Sequence, residues 1–217
     1  MNYWQVIIFS ASIWIAAIIG WIRLSRLIPE YWPFLLCISI ASLNEVISFI
    51  FTRYGHHTVI NNNIYVLLES LFITWQFKNW GIFNRYKKIF FIILSFFIIL
   101  WMSENFTSTG QPRIHFYFRV AYSFSIVIMS IHINNLLIVT YSRKLLKSPV
   151  FLICTGFIIY FTYKILVEAF WYYGLHASRD FRIHVYLLLT WINLIVNFIY
   201  AVALLWIPKK PHHIMLF

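Results

Sequence analysis

Two carboxyl groups inside apolar segments are the residues of this sequence with the clearest chemical potential. The 217-residue chain has only 6 acidic residues, and two of them, Glu45 and Glu69, interrupt long apolar stretches. If each stretch is a helix, both carboxyls lie about 9 Å below the same end of a bundle, because a helix rises about 1.5 Å per residue. Two buried carboxyls that face each other repel, so one of them holds a proton near neutral pH. The pair therefore predicts a proton or ligand site.

Other polar residues inside apolar segments extend this predicted site. A charged group at the centre of a bilayer costs at least roughly 2.5 to 3.5 kcal/mol, so it is expected to face the bundle interior or a wet cavity. Lys164 and Glu168 stand four residues apart, the spacing of an intrahelical ion pair. An alternative is that these groups only join the helices through hydrogen bonds. The predicted ligand or proton site comprises Glu45, Glu69, Lys164, Glu168, Asn44, Tyr65, Arg119, Asn193 and Asn197.

Histidines are the candidate metal ligands, since imidazole together with carboxylate suits zinc or nickel. The weak candidates are His56, His57, His115, His176 and His184. They come from separate segments and none shows the spacing of a ligand pair. We therefore expect neither a metal nor another cofactor.

The composition identifies the elements that must position these residues. With 62% hydrophobic, 21% aromatic and 11% charged residues, the chain has too few polar residues to form a soluble globule of this size. We predict an all-α, single-domain membrane bundle over residues 1–217. Its seven spans are expected near residues 3–22, 33–51, 63–80, 89–103, 116–141, 149–172 and 183–207, about 20 apolar residues being enough to cross a bilayer.

The basic residues predict how the bundle is oriented. Most of the 17 Lys and Arg residues fall in every second gap between spans, or after the last span. By the positive-inside rule the N-terminus is then outside and the C-terminus cytoplasmic, as in a multi-pass protein of a bacterial inner membrane. The net charge of +11 is expected to reflect this topology and contact with anionic lipids, and no nucleic-acid partner is expected.

An internal repeat is the second pattern in the sequence. Pro33–Cys37 resembles Pro149–Cys154, Tyr54–His57 resembles Tyr173–His176, and Ile64–Leu68 resembles Val185–Leu189, at a nearly constant offset of about 116 to 121 residues. This predicts repeat one over about 3–85, a linker helix over about 86–110 and repeat two over about 113–210. The bundle would then have a 3+1+3 arrangement.

Two resemblances accompany these patterns. The 3+1+3 arrangement with an outside N-terminus resembles SWEET-like transporters in architecture, although no Pro-Gln signature is present. Asn44-Glu45, Tyr65, Glu69 and Asn193 resemble positions in seven-helix integral membrane proteins common in Bacteroidota. The second resemblance implies no activity.

Three functions are compatible with this sequence, and the first is favoured. It is a ligand-sensing or receptor-like subunit whose outward-facing polar pocket binds a small molecule and signals through a partner protein. The alternative is a small-solute or proton-coupled transporter. A lipid-modifying intramembrane enzyme has the least support, because no nucleophile with a base and no metal triad is recognisable, and we expect no enzymatic activity. The oligomeric state is left open.

Overall fold

Seven α-helices form the part of the chain that the computed structural model describes, namely residue 9 and residues 11–107, 114–140, 145–173 and 179–208. Short 3-10 turns occur at Leu24–Arg26, Pro29–Tyr31 and Leu145–Lys147. No strand occurs in these ranges, so the all-α prediction is confirmed. The helices are α1 Ile13–Ile22, α2 Trp32–Arg53, α3 Val59–Asn79, α4 Lys87–Thr107, α5 Phe116–Thr140, α6 Pro149–Tyr173 and α7 Arg179–Trp206.

The helix bounds follow the predicted spans, with three extensions. α3 begins at Val59 rather than at residue 63, α4 continues to Thr107 rather than ending at 103, and α7 begins at Arg179 rather than at 183. At each of these ends the added residues include polar ones, which a search for apolar windows leaves out although the backbone stays helical. The expected start of the first span, at residues 3–8, lies outside the described residues.

Five helices are long and apolar enough to cross a membrane, so this is a multi-pass membrane protein. α3 has a comparable length of 21 residues but is more polar, because it carries Asn61, Asn62, Asn63, Glu69 and Gln76. α1 is only 10 residues long, because a turn at Ala11 and Ser12 precedes Ile13; the predicted first span is therefore not one continuous helix over residues 3–22. The five candidate spans are Pro29–Arg53, Lys87–Phe106, Phe116–Thr140, Pro149–Tyr172 and Leu187–Trp206.

Six of the helices form a closed ring. Neighbours in this ring pack in the order α1, α2, α3, α5, α6, α7 and back to α1. α4 packs on the outside of the ring, against α3 and α5. Only 11% of its apolar window is buried, against 28% to 39% in the other four candidate spans. α4 is therefore peripheral, and the other six helices surround the interior of the bundle.

The bundle has two chemically different ends. We call one the histidine end: it contains His56, His57 and His115, which lie in or beside the loops that join α2 to α3 and α4 to α5. The opposite end is the basic end, where Arg23 and Lys78 lie.

α1 and α7 run parallel to each other between these ends. Asn197 Nδ2 donates to Ser12 Oγ at 2.8 Å. At the basic end, Arg23 donates to the carbonyl oxygen of Leu204 and, at 2.9 Å, to that of Ile207. These bonds satisfy carbonyls that the last turn of a helix leaves without an intrahelical partner.

Candidate functional site

A cavity of about 90 Å³ lies inside the ring, between α1, α2, α3, α6 and α7. Its wall combines carboxyl, phenol and amide groups with aliphatic and aromatic side chains. The polar lining residues are Glu45, Tyr65, Glu69, Tyr160, Asn193, Asn197 and Tyr200, and the apolar ones include Ile13, Phe34, Cys37, Ile38, Ala41, Ile73, Phe157, Phe161 and Val196. Five of the nine residues predicted from the sequence therefore line one cavity.

Glu69 is the centre of a buried polar network on the wall of this cavity. Its side chain is 6% exposed, and Lys164, 8% exposed, donates to Glu69 Oε2 at 3.1 Å. Tyr65 donates to Glu69 Oε1 at 2.7 Å, and Tyr122 donates to Oε2 at 2.6 Å. Lys164 also donates to the Tyr122 hydroxyl. The carboxylate thus accepts three hydrogen bonds, as a charged group needs when water is excluded.

A second ion pair lies nearer the histidine end. Arg119 Nη1 donates to Glu168 Oε1 at 3.0 Å, and Arg119 Nη2 donates to Asn63 Oδ1 at 3.3 Å. The backbone oxygen of Asn63 accepts from Trp101 Nε1 at 2.9 Å, which attaches α4 to the same layer. The Arg119 and Glu168 side chains are 12% and 13% exposed. This pair is therefore shielded, though less than the Glu69 pair.

Helical spacing explains why the two pairs form successive layers. Lys164 and Glu168 are four residues apart on α6, and Arg119 and Tyr122 are three apart on α5. Residues at these spacings share one helix face about one turn apart. α5 and α6 therefore place two ion pairs, about one helical turn apart, beside α3. We call these two pairs together the ionic ladder. The predicted intrahelical pair between Lys164 and Glu168 is wrong, because each residue pairs with a different neighbouring helix.

Glu45 differs from the other carboxyls on these helices. It is half-buried on α2 and lines the cavity, and no hydrogen bond or ion pair joins its side chain to the described residues. Glu69 pairs with Lys164, and Glu168 pairs with Arg119. Glu104 Oε1 accepts from the backbone amide of Tyr117 at 2.9 Å, and Glu104 Oε2 accepts from that of Phe118 at 2.8 Å. The cavity therefore carries one negative charge that the ladder does not balance when Glu45 is ionised.

The amide wall of the cavity is formed by α7. Asn193 and Asn197 stand four residues apart and line the cavity together. The Asn197 amide nitrogen donates to Ser12 Oγ at 2.8 Å. Its carbonyl oxygen makes no hydrogen bond with the described residues and is available to accept one.

Aromatic rings form the part of the cavity wall nearest the basic end. The Phe34 ring lies 5.3 Å from the Tyr200 ring and 6.0 Å from the Phe157 ring, and Phe157 lies 5.8 Å from Tyr200, in edge-on arrangements. A Cβ added at Gly156 would come within 2.5 Å of Tyr200 Cε1, so glycine permits this close approach of α6 and α7. Gln76 Oε1 accepts from the Phe34 backbone amide at 3.0 Å and fixes the start of α2.

Asn44 lies apart from the cavity. It belongs to an amide cluster between α2 and α3, in which Asn61 Nδ2 donates to Asn44 Oδ1 at 2.7 Å and Asn44 Nδ2 donates to Asn62 Oδ1 at 3.4 Å. Ser48 also takes part, accepting from Asn61 at 3.3 Å. The cluster joins the two helices, as in the structural alternative stated for these residues.

The candidate histidines do not converge. Among the described residues no three His, Cys, Asp or Glu side chains come together as a metal site would require. His56, His57 and His184 are exposed, and His176 lies outside the described residues. His115 is 2% exposed and packs edge-on against Trp101, 5.5 Å between ring centroids. Burial, with the nearby Arg119 charge, lowers the pKa of His115 from its ordinary value.

The residues that were not predicted from the sequence include Tyr122 and Asn63, which hydrogen-bond to ladder side chains, and Tyr160 and Tyr200 on the cavity wall. Tyr122 carried a signal, because it stands three residues from Arg119 and so shares its face of α5, whereas Asn63 stands six residues from Glu69 and does not share its helix face.

No protein-family model, curated protein or solved structure matches this chain. The fold and the site thus define its class directly: it is a multi-pass helical membrane protein with a buried ionic ladder and a carboxylate-bearing cavity.

Proposed function

We propose that this protein is a ligand-sensing, receptor-like subunit of a bacterial inner membrane, and that the cavity is its ligand site. The observation that carries the proposal is Glu45: a carboxylate that lines a cavity and has no partner among the described residues. An ionised carboxyl kept from water without a partner is costly, so such a group is retained where a ligand or proton occupies it.

The proposed topology has seven spans, with the N-terminus outside and the C-terminus in the cytoplasm. The distribution of Lys and Arg supports this orientation. The parallel course of α1 and α7 supports an odd number of spans. The peripheral position of α4 supports its role as the linker of a 3+1+3 repeat. In this topology the ionic ladder and Glu45 lie in the outer half of the membrane.

The proposal of sensing is supported by α7, which extends from the cavity wall to the basic end. α7 contributes Asn193, Asn197 and Tyr200 to the cavity, and its last turn is held by Arg23. A ligand that changes how α7 packs on α2 and α6 would therefore also shift contacts at the cytoplasmic surface. A partner protein bound there would register occupancy, since a ligand shifts an equilibrium by its differential affinity for two states.

The test begins with ligand discovery in purified protein. Thermal unfolding is followed by the fluorescence of the 10 Trp residues, with sugars, amino acids, amines, nucleosides and inorganic ions as the panel. A ligand at 100 times its Kd stabilises by about 2.7 kcal/mol, which is readily detected. Ala41→Leu fills the cavity and is expected to abolish the shift. Substitution of exposed Leu43, two residues along α2, by Ala is the matched control and should retain it.

The sensing role is then tested by crosslinking from the basic end. A photoreactive group at exposed Lys147 should capture a membrane or cytoplasmic protein, and the yield should change with a cavity ligand. Absence of any captured partner, with ligand binding intact, would argue against a sensor.

A small-solute or proton-coupled transporter is the second candidate. The specific observation in its favour is that the cavity extends from Glu45 toward Phe34 and Tyr200, with titratable groups along it. Movement of the Phe34, Phe157 and Tyr200 rings would open the cavity toward the basic end. Uptake of the ligand into proteoliposomes, abolished by Ala41→Leu, would favour transport over sensing. The site gives no specific support to a lipid-modifying enzyme.

A further inference from the structure

We infer that the cavity binds a small organic cation, of the class of primary or methylated ammonium ions, through the Glu45 carboxylate. This inference rests on the proposal that the cavity is the ligand site and names the chemical class of the ligand.

Charge balance is the first argument. The two cations of the ionic ladder are already used, because Lys164 pairs with Glu69 at 3.1 Å and Arg119 pairs with Glu168 at 3.0 Å. Both pairs are neutral overall, so an ionised Glu45 leaves the interior with one uncompensated negative charge. A cationic ligand neutralises this charge. An anionic ligand would face two carboxyl groups on the wall, Glu45 and Glu69, and none of the described residues that line the cavity is basic.

The aromatic walls are the second argument. The Lys164 ammonium lies 5.4 Å from the centroids of both the Tyr160 and Phe161 rings, within the range of cation–π attraction. These two rings also line the cavity, together with Phe34, Phe157 and Tyr200. The walls thus combine a carboxylate with aromatic rings, the combination that suits ammonium ligands.

The amide wall is the third argument. The carbonyl oxygen of Asn197 is available as an acceptor because its amide nitrogen donates to Ser12. Asn193 lies one turn away on the same wall. An ammonium N–H group requires acceptors, and the cavity supplies them from α2 and from α7.

Size limits the ligand. A cavity of about 90 Å³ accommodates roughly six to nine water-sized groups, because each needs about 10 to 15 Å³ of such volume. Ammonium, methylammonium, ethanolammonium and tetramethylammonium ions fit this limit. Bulky polyaromatic cations do not.

The experiment measures binding of these four chloride salts to the full chain by calorimetry and thermal shift, with sodium chloride at equal ionic strength as the reference. Ethylene glycol serves as a neutral counterpart of ethanolamine, and sodium acetate as an anionic one. Glu45→Gln should weaken binding of the best cation about ten- to hundredfold, the usual effect of losing a charge-assisted hydrogen bond. Glu30→Gln, at an exposed glutamate before α2, should leave the affinity within twofold.

A second variant shows whether a loss of binding in Glu45→Gln comes from the lost charge or from misfolding. Glu45→Asp keeps the charge and shortens the side chain, so it should retain preference for cations with reduced affinity. The inference is overturned if no salt in the series binds the wild type more tightly than sodium, or if Glu45→Gln binds the best cation as well as wild type does. Binding of neutral solutes alone, abolished by Ala41→Leu, would overturn the cation class and leave the ligand cavity standing. If no solute of any class binds, both proposals fail.

Discussion

Removing the ammonium of Lys164 should destabilise the protein more than any exposed charge change, because it leaves Glu69 buried without its cation. Lys164→Met keeps nearly the same side-chain length but removes the ion pair at 3.1 Å. Breaking a buried pair in this way typically costs about 3 to 5 kcal/mol. Tyr65 and Tyr122 still donate to the carboxylate, which places the expected loss at the lower end of that range.

The assay is reversible unfolding in mixed micelles, followed by tryptophan fluorescence at pH 7. Lys88→Met, at an exposed position on α4, is the matched control and should change stability by less than about 0.5 kcal/mol. The double variant Glu69→Gln/Lys164→Met leaves no uncompensated charge and should lose less than Lys164→Met by itself. The reasoning is refuted if Lys164→Met is no worse than Lys88→Met, or if the two substitutions are simply additive.

Three further predictions use the same unfolding assay. Glu104→Ala removes the side chain that accepts from two backbone amides at the start of α5 and should cost about 1 kcal/mol, whereas equal stability would exclude this capping role. Gly156→Ala forces a Cβ against Tyr200 and should cost about 1 to 3 kcal/mol, with no loss expected only if α6 and α7 separate freely. Because the pKa of His115 is lowered in the folded protein, the unfolded chain takes up a proton at a higher pH than the folded protein does. The contribution of His115 to stability is therefore complete above pH 6.5 and falls as the pH drops below it, and His115→Gln should abolish this contribution.

The sequence predicted the fold class because composition and charge spacing both report on the solvent around each helix. A membrane helix must be apolar toward lipid, so stretches such as 149–172 in the sequence match α6 within a residue. Polar helix ends are less visible, which explains the late start predicted for α3. The orientation and the internal repeat stay predictions.

The candidate site was predictable as a set of residues but not as a set of pairs. A charged side chain inside a span must face inward, so Glu69, Lys164 and Glu168 were identifiable. Their partners were not, because an i, i+4 neighbour and a residue on an adjacent helix are equally compatible with one helix face. The actual partners are 95 residues apart for Lys164 and Glu69, and 49 apart for Arg119 and Glu168. Such pairing depends on how each helix is rotated, which spacing does not encode.

The attachment of Arg23 to α7 has a consequence for the biogenesis of the protein. Its carbonyl partner in Ile207 is 184 residues further along the chain. At roughly 5 to 20 residues synthesised per second, α1 therefore waits about 10 to 40 s before its partner helix exists. During that interval the Arg23 guanidinium can interact only with lipid headgroups and water. The contacts of α7 with α1 and α6 can form only after every other helix has been synthesised, so the ring of helices cannot close before the end of translation.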